Sequence, residues 1–202
     1  MNNDRPPINC AYFSMEFMLE SDIPTYAGGL GVLAGDLMRS CADMGEPVVG
    51  MSLVYNDSTY KQVINPSGTQ NYEQLVWHKN DQLTKLSNRV EVTIQGQKVI
   101  VGVWRYDIVG IDGYVVPVFL LDTDFIDNSE YARSLTQNLY EGGVRLDQEV
   151  LLGMAGFYKS LDIEFWIVFS KFFTKFVYNV TPFTHPAIIV SISRMSRFGA
   201  TK

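Results

Sequence analysis

Apolar and polar positions near the start of the chain predict a strand, a helix and a second strand. Residues 8–14 are mostly apolar and predict a short strand. Apolar side chains in residues 30–44 recur with the period of a helix, and Gly45 followed by Pro47 is typical of a helix end. Residues 48–55 predict a buried strand. Because the two strands flank one helix, we expect a βαβ unit with a parallel strand pair.

The middle of the chain predicts further strands. Residues 90–103 contain two runs in which apolar and polar side chains alternate, separated by a Gln-Gly-Gln turn, and this pattern indicates a β-hairpin. Residues 114–121 predict a strand, in which Pro117 favours a position at the sheet edge or at the strand start. Residues 56–88 are polar and have no clear period, so no element is predicted there.

Two more helices are predicted after these strands. Residues 129–140 have a helical pattern, and residues 146–161 have a longer one. The longer helix is expected to place five apolar side chains on one face: Leu146, Val150, Met154, Phe157 and Leu161. Strands that alternate with helices are typical of α/β proteins. The predicted fold is therefore an α/β, Rossmann-like lobe with a β-hairpin insertion.

The charge of the chain is unevenly distributed. The net charge of −6 at pH 7 argues against general nucleic-acid binding. All acidic residues lie at or before Glu164, and residues 165–202 carry only basic charges. The N-terminal residues lack the apolar core of a signal peptide, and Cys10 and Cys41 lie in apolar elements. We therefore expect a cytoplasmic protein with reduced, buried thiols.

The last part of the chain is rich in aromatic residues. Residues 165–169 are apolar on all sides, but Lys171 and Lys175 interrupt any stretch long enough to span a membrane. A transmembrane helix is therefore not expected. A basic amphipathic helix on a membrane surface is an alternative with less support.

The glycine-rich turn at residues 26–36, YAGGLGVLAGD, is the strongest candidate for a binding site. It follows a predicted strand and opens a predicted helix. Glycines there leave backbone amides uncovered at the positive end of the helix dipole, where a phosphate or a sugar hydroxyl can bind. The candidate amides belong to Gly28, Gly29 and Leu30.

Acidic residues near strand ends are further candidates. Glu16 follows the first strand at the sheet edge where open α/β sheets bind ligands. It could accept hydrogen bonds from sugar hydroxyls or organise the glycine-rich turn, and both interpretations stay open. Asp122 and Asp124 are close together at the end of a predicted strand, where their side chains are expected to point to different faces. A shared acid–base role is therefore not expected. No catalytic or metal-ligating residues are predicted, because no suitable spacing is present.

Several segments carry a recognisable pattern in a fixed order: AYFSMEF (11–17), PTYAGGLGVLAGD (24–36), ADMGEPVVG (42–50), VPVFLLDTD (116–124), and LY with RLDQEVLLG (139–153). Together they resemble the N-terminal lobe of the short, bacterial and archaeal type of α-glucan (glycogen or starch) phosphorylase. The resemblance covers residues 1–163. Separate motifs in the right order are far more specific than any one of them.

The resemblance implies a glycosyltransferase B-type fold, in which two Rossmann-like lobes face each other across a cleft. It implies reversible phosphorolysis of α-1,4-glucan to glucose 1-phosphate, assisted by pyridoxal phosphate. The implied partners are an α-glucan with phosphate or glucose 1-phosphate, and a second lobe or a homo-oligomer. The glycine-rich turn would then lie beside the sugar and the phosphate, with the amides of Gly28, Gly29 and Leu30 as donors.

The chain also departs from the phosphorylase pattern. The cofactor lysine of these enzymes lies in the second lobe, which we do not find in this sequence. An Asn-Glu-Gly-His segment is expected soon after Glu164, but residues 165–168 read FWIV. We therefore expect a partial phosphorylase lobe over 1–163 and an unrelated aromatic, basic tail over 164–202. Such a fragment is expected to be inactive alone and poorly soluble.

Two other functional interpretations remain open. A nucleotide-sugar glucan synthase uses a similar Gly-Gly-Leu-Gly turn, but the synthases we compare have a lysine two residues before it, where this chain has Tyr26. A non-catalytic glucan-binding lobe, which works with a separate partner or associates with a membrane, is the other.

Overall fold

A computed structural model describes residues 10–56, 60–74, 77–140, 142–162 and 187–191. The strands are β1 (Cys10–Ser14), β2 (Val48–Leu53), β3 (Tyr60–Ile64), β4 (Gln70–Gln74), β5 (Thr84–Ile94), β6 (Gln97–Val109), β7 (Val115–Asp122) and β8 (Ala187–Ser191). The helices are α1 (Gly29–Met44), α2 (Lys79–Gln82), α3 (Glu130–Ser134) and α4 (Arg145–Asp162).

A mixed sheet in the order β5-β6-β7-β2-β1-β8 forms the centre of the fold. Strands β1, β2 and β7 are parallel, whereas β5, β6 and β8 join through antiparallel pairs. The βαβ unit and the β-hairpin are thus confirmed. The hairpin extends the central sheet, because β6 pairs with β7, rather than standing apart as an insertion. The α/β class and the Rossmann-like parallel core follow from this arrangement.

The two faces of the sheet bury separate apolar clusters because successive strand residues point to opposite sides. Phe13, Met51 and Leu121 belong to the cluster that also contains Leu151 and other residues of α4. The neighbouring side chains on the same strands pack on the other face with residues of α1: Tyr12, Val48, Val118 and Leu120, with Ala34, Met38 and Ala42. The sheet therefore lies between α1 and α4.

Helix α1 packs closely against the segment that follows β1 because it has a glycine at the contact. A Cβ atom added to Gly35 would lie 2.2 Å from the carbonyl oxygen of Met18, so no larger residue fits there without a shift. The helix ends at Gly45, whose φ of 68° is left-handed and whose amide donates to the carbonyl of Ala42. The predicted helix end is confirmed.

Three sequence predictions need correction. Strand β7 is internal, so the edge position predicted for Pro117 is wrong; Pro117 has the alternative predicted position near the strand start, before pairing with β2 begins at Val118. The helix predicted over 129–140 is only α3, which ends at Ser134 and is followed by turns. On α4, Leu146 is 52% exposed, whereas Leu151, Leu152 and Ala155 are buried, so the buried face is rotated from the predicted one.

The predicted tail over 164–202 lies mostly outside the described residues, as do residues 1–9. Within the tail, the described strand β8 pairs with β1, and Ser191 lies opposite Cys10. None of the helices in the described ranges is long and apolar enough to cross a membrane. A hairpin of β3 and β4 and the short helix α2 occupy the region for which the sequence predicted no element.

Candidate functional site

Polar residues lie at the carboxyl ends of the three parallel strands. Glu16 lies just after β1, Asn56 follows β2, and Asp122 ends β7. Residues 27–30, hereafter the glycine loop, connect this edge to the start of α1. The predicted position of the loop, at the edge where open α/β sheets bind ligands, follows from the parallel β1–β2 pair.

Glu16 organises the glycine loop. Its side chain is buried, and Oε2 accepts hydrogen bonds from the amides of Ala27, at 2.9 Å, and Gly28, at 3.2 Å. Its other oxygen, Oε1, accepts from the hydroxyl of Tyr140 at 2.5 Å. A buried carboxylate is stabilised when several donors point at it. These are the contacts expected if Glu16 organises the loop. One of its partners, the amide of Gly28, is also one of the predicted phosphate donors.

The amides of Gly29 and Leu30 have no acceptor within the described part of the chain. In the described ranges, neither amide donates a hydrogen bond, since the first intrahelical bonds of α1 come from Gly31 and Val32 to Gly28. Both residues are exposed. A Cβ atom added to Gly28 or Gly29 would meet nothing within 4 Å, so the protein itself does not require glycine there for space.

Gly31, in contrast, is required by close packing. A Cβ atom at this position would lie 2.4 Å from the Cβ of Tyr26 and 3.1 Å from Oε2 of Glu16. Real Cβ contacts do not reach the shorter of these distances, so Gly31 lets α1 approach the residues that hold the loop. The adjoining segment is fixed by Arg39, whose guanidinium donates to the carbonyls of Met18 and Leu19.

Tyr140 brings a distant part of the chain to the glycine loop. Burial, followed by its hydrogen bond to Glu16, raises the pKa of Tyr140 above its ordinary value, so its phenol stays protonated. The guanidinium of Arg145 lies 4.9 Å from the centre of the Tyr140 ring. Behind Glu16, the hydroxyl of fully buried Tyr55 donates to the carbonyl of Met15 at 2.8 Å. The hydroxyl of Tyr140 thus holds the side chain of Glu16, and the hydroxyl of Tyr55 holds the backbone of the preceding residue, Met15.

A second polar cluster surrounds Asp122. Its Oδ2 lies 2.7 Å from Nζ of Lys79 and accepts from the indole nitrogen of Trp104 at 2.9 Å. Lys79 also donates to Oδ1 of Asn56. Burial opposes ionisation of Asp122, but Lys79 and the hydrogen bonds from Asp124 and Trp104 outweigh it and lower the pKa. Asp122 is therefore held as a buried carboxylate.

Asp122 and Asp124 have different ionic partners. Asp124 pairs with Arg133 at 2.7 Å, whereas Asp122 pairs with Lys79. Sequence reasoning missed Lys79 and Trp104 because they come from α2 and from the hairpin, far from Asp122 along the chain. It also missed Tyr140 as a partner of Glu16, although Tyr140 lies in a motif that the resemblance identified.

The two cysteines lie at the opposite end of the sheet from the glycine loop. Cys10 and Cys41 are half-buried, form no disulfide and line a cleft of about 290 Å³ at the amino ends of β1 and β2. Burial raises the pKa of both thiols, and for Cys41 nearby Glu46 raises it further. In the described part of the chain, no group of His, Cys, Asp and Glu residues is arranged to hold a metal ion.

An α/β sheet with a glycine loop at its carboxyl edge defines the general class of this protein. No protein-family model matches the chain. Over 161 residues the chain is 33% identical to a glycogen phosphorylase of Mycobacterium tuberculosis. This match covers 74% of the chain and 18% of the phosphorylase. Over 159 residues the chain is 31% identical to a maltodextrin phosphorylase of Thermococcus litoralis, and this match covers 72% of the chain and 18% of that enzyme.

A third relative has no assigned activity. The chain is 32% identical over 151 residues to an uncharacterized protein of Methanocaldococcus jannaschii, covering 73% of this chain and 28% of that protein. The chain therefore spans between 18% and 28% of the length of these relatives. It contains a phosphorylase-like segment, which confirms the phosphorylase resemblance of the sequence motifs at this coarser level.

Proposed function

We propose that the chain is the sugar-phosphate-binding part of an α-1,4-glucan phosphorylase and that it binds phosphate, or the phosphate of glucose 1-phosphate, at the glycine loop. The observation that carries this proposal is that the amides of the exposed residues Gly29 and Leu30, at the start of α1, donate no hydrogen bond within the described residues. The similarity to glycogen and maltodextrin phosphorylases supports it.

The loop suits an anion for two physical reasons. The 16 residues of α1 supply a full helix dipole, whose positive end lies at the loop. The open space at Gly28 and Gly29 lets a phosphate oxygen approach the backbone without contacting a side chain. Because the amides are already oriented, they stabilise phosphate charge without rearrangement during glycosyl transfer to phosphate.

The four predicted site residues then have different roles. Gly29 and Leu30 donate their amides to the phosphate. Gly28 provides the open approach, while its own amide donates to Glu16. Glu16 holds the loop rather than the phosphate, because an anion beside this buried carboxylate would be repelled.

Pyridoxal phosphate belongs to this proposal only through the rest of a phosphorylase. The side chains of Lys79, Lys85 and Lys98 make their contacts with Asp122, Trp104 and Glu91, not with the glycine loop. These described lysines do not fit a cofactor bound as a Schiff base at the loop. The proposal includes a chain that is inactive alone, acts in the cytoplasm, and depends on a second lobe or on a homo-oligomer.

A second candidate function is a non-catalytic glucan-binding lobe that works with a partner. The exposed apolar side chains of α1, among them Leu33 and Met44, favour this alternative because isolated proteins rarely expose such residues together. A nucleotide-sugar synthase has less support. Tyr26 occupies the position of the lysine in the synthases compared, and here it packs against Gly31.

Titration of the full chain with inorganic phosphate and with glucose 1-phosphate tests the main proposal. We expect amide chemical shifts of Gly29 and Leu30 to change in nuclear magnetic resonance spectra. Gly29→Val should abolish the change because the new side chain blocks the approach. Gly142→Val is the matched control, since Gly142 also has no neighbour within 4 Å and lies outside the loop. If phosphate moves neither amide, the proposal is wrong.

A further inference from the structure

The carboxylate of Glu16 joins two parts of the chain that sequence distance separates. Oε2 holds the amides of Ala27 and Gly28, and Oε1 accepts from the hydroxyl of Tyr140, 124 residues further along. The carboxylate is only 3% exposed, so water cannot readily replace any of these donors. Loss of one donor would therefore change how the remaining donors hold the carboxylate.

Tyr140 is itself held in an uncommon conformation. Its φ is 56°, and Gln95 is the only other non-glycine residue in the described ranges with a positive φ. Gln95 lies in the tight turn between β5 and β6, where such a φ is ordinary. Tyr140 precedes α4 instead, and the guanidinium of Arg145 covers its ring. In this left-handed conformation, the hydroxyl of Tyr140 reaches Oε1 of Glu16.

We propose that Tyr140 is a positioning residue for the glycine loop. By fixing Oε1 of Glu16, it holds Oε2 against the amides of Ala27 and Gly28, which keeps the amides of Gly29 and Leu30 aimed at one point. The phosphate part of this inference rests on the proposed function. The link between Tyr140 and the loop stands on hydrogen bonds alone and can be measured without a ligand.

Hydrogen exchange of individual amides in the full chain tests this link. Tyr140→Phe removes the hydroxyl and keeps the ring, and it should speed exchange at Ala27 and Gly28 roughly tenfold, as expected for loss of one charge-assisted hydrogen bond. Tyr106→Phe is the matched control, because the hydroxyl of Tyr106 donates to Oε1 of Glu20 at the same 2.5 Å. Unchanged exchange in Tyr140→Phe, or an equal increase in Tyr106→Phe, would overturn the proposal.

Phosphate affinity provides the second measurement. Tyr140→Phe should weaken binding of inorganic phosphate several-fold, whereas Tyr106→Phe should leave it unchanged. If the unsubstituted chain binds no phosphate, the proposed function fails, and the exchange data still decide whether Tyr140 holds the loop. Normal phosphate affinity together with fast loop exchange would refute the role of Tyr140 in binding.

Two further variants keep the result decisive. In a Glu16→Gln background, adding Tyr140→Phe should change loop exchange less than about twofold, because the carboxylate that links the two sites is gone. A full tenfold effect there would show that Tyr140 acts by another route. Should Tyr140→Phe fail to fold, Arg145→Met replaces it, since this change loosens the ring and keeps the phenol. Faster exchange is again expected, and unchanged exchange counts against the proposal.

Discussion

The ammonium group of Lys79 lies 2.7 Å from the carboxylate of Asp122, so a four-residue helix is tied to the end of an internal strand. The carboxylate is almost fully buried, whereas the lysine keeps some contact with water. Trp104 and Asn56 complete the hydrogen bonds of the pair. The pair therefore fixes α2 against the same edge of the sheet that carries the glycine loop.

Removal of the lysine charge should destabilise the chain. Lys79→Met leaves Asp122 buried without its counter-ion, and we expect the free energy of unfolding to fall by about 3 kcal/mol. Lys98→Met is the control, because Lys98 and Glu91 form an exposed pair whose loss should cost less than about 1 kcal/mol. Urea unfolding followed by circular dichroism measures both. Equal losses in the two variants would contradict a special role for the buried pair.

The same pair should make stability depend on acid pH. The pKa of Asp122 lies below its ordinary value of 3.8, so the folded state favours the charged form. Its contribution is present above the unfolded pKa and is lost as the pH falls through the lower, folded pKa. The stability difference between the unsubstituted chain and Asp122→Asn should therefore shrink between about pH 5 and about pH 2. A constant difference across this range would disprove the assignment.

Two glycines in the same motif should respond differently to alanine. Gly31→Ala places a Cβ atom 2.4 Å from Tyr26, and overpacking of this kind costs about 1–3 kcal/mol. Gly29→Ala meets no neighbour within 4 Å and should change the free energy of unfolding by less than about 1 kcal/mol. Thermal and urea unfolding of the two variants test this. A neutral Gly31→Ala would mean that α1 moves freely against Glu16.

The apolar outer face of α1 should limit solubility. Leu33 is 62% exposed and Met44 is 66% exposed, and both lie on the side of α1 that faces away from the sheet. The double variant Leu33→Lys, Met44→Lys should reduce self-association in light scattering. Leu146→Lys is the control, because Leu146 is an exposed leucine on another helix. A monodisperse monomer of the unsubstituted chain at high concentration would show that the prediction is wrong.

Local patterns carried most of the information for the parallel core. The helical period of residues 30–44 and the glycine at 45 predict α1 almost to its ends. Burial against the sheet requires apolar residues at a helical period, and a left-handed cap favours glycine, so both can be recognised in the sequence. The alternation in 90–103 likewise predicts the hairpin. Each of these elements buries one face, so its apolar residues recur with the period of a helix or a strand and can be recognised in the sequence.

Contacts between distant segments leave no such marks. The pattern in 129–140 suggests a helix, but the turn that ends at Tyr140 is shaped by the hydroxyl bond to Glu16. The pairing of Lys79 with Asp122 depends on where α2 lies after the hairpin folds. Charge and aromatic residues could be seen in the sequence, but their partners could not.

The bond between Tyr140 and Glu16 also sets an order of events during synthesis. Strands β1 and β2 and the helix between them lie within the first 53 residues, whereas the other neighbour of β2, strand β7, is made later. Glu16 receives its phenol donor only after Tyr140 has been made, so the loop reaches its final geometry late. A nascent chain that stalls in the hairpin would therefore have the complete sequence of the glycine loop but not the hydrogen bond from Tyr140 to Glu16.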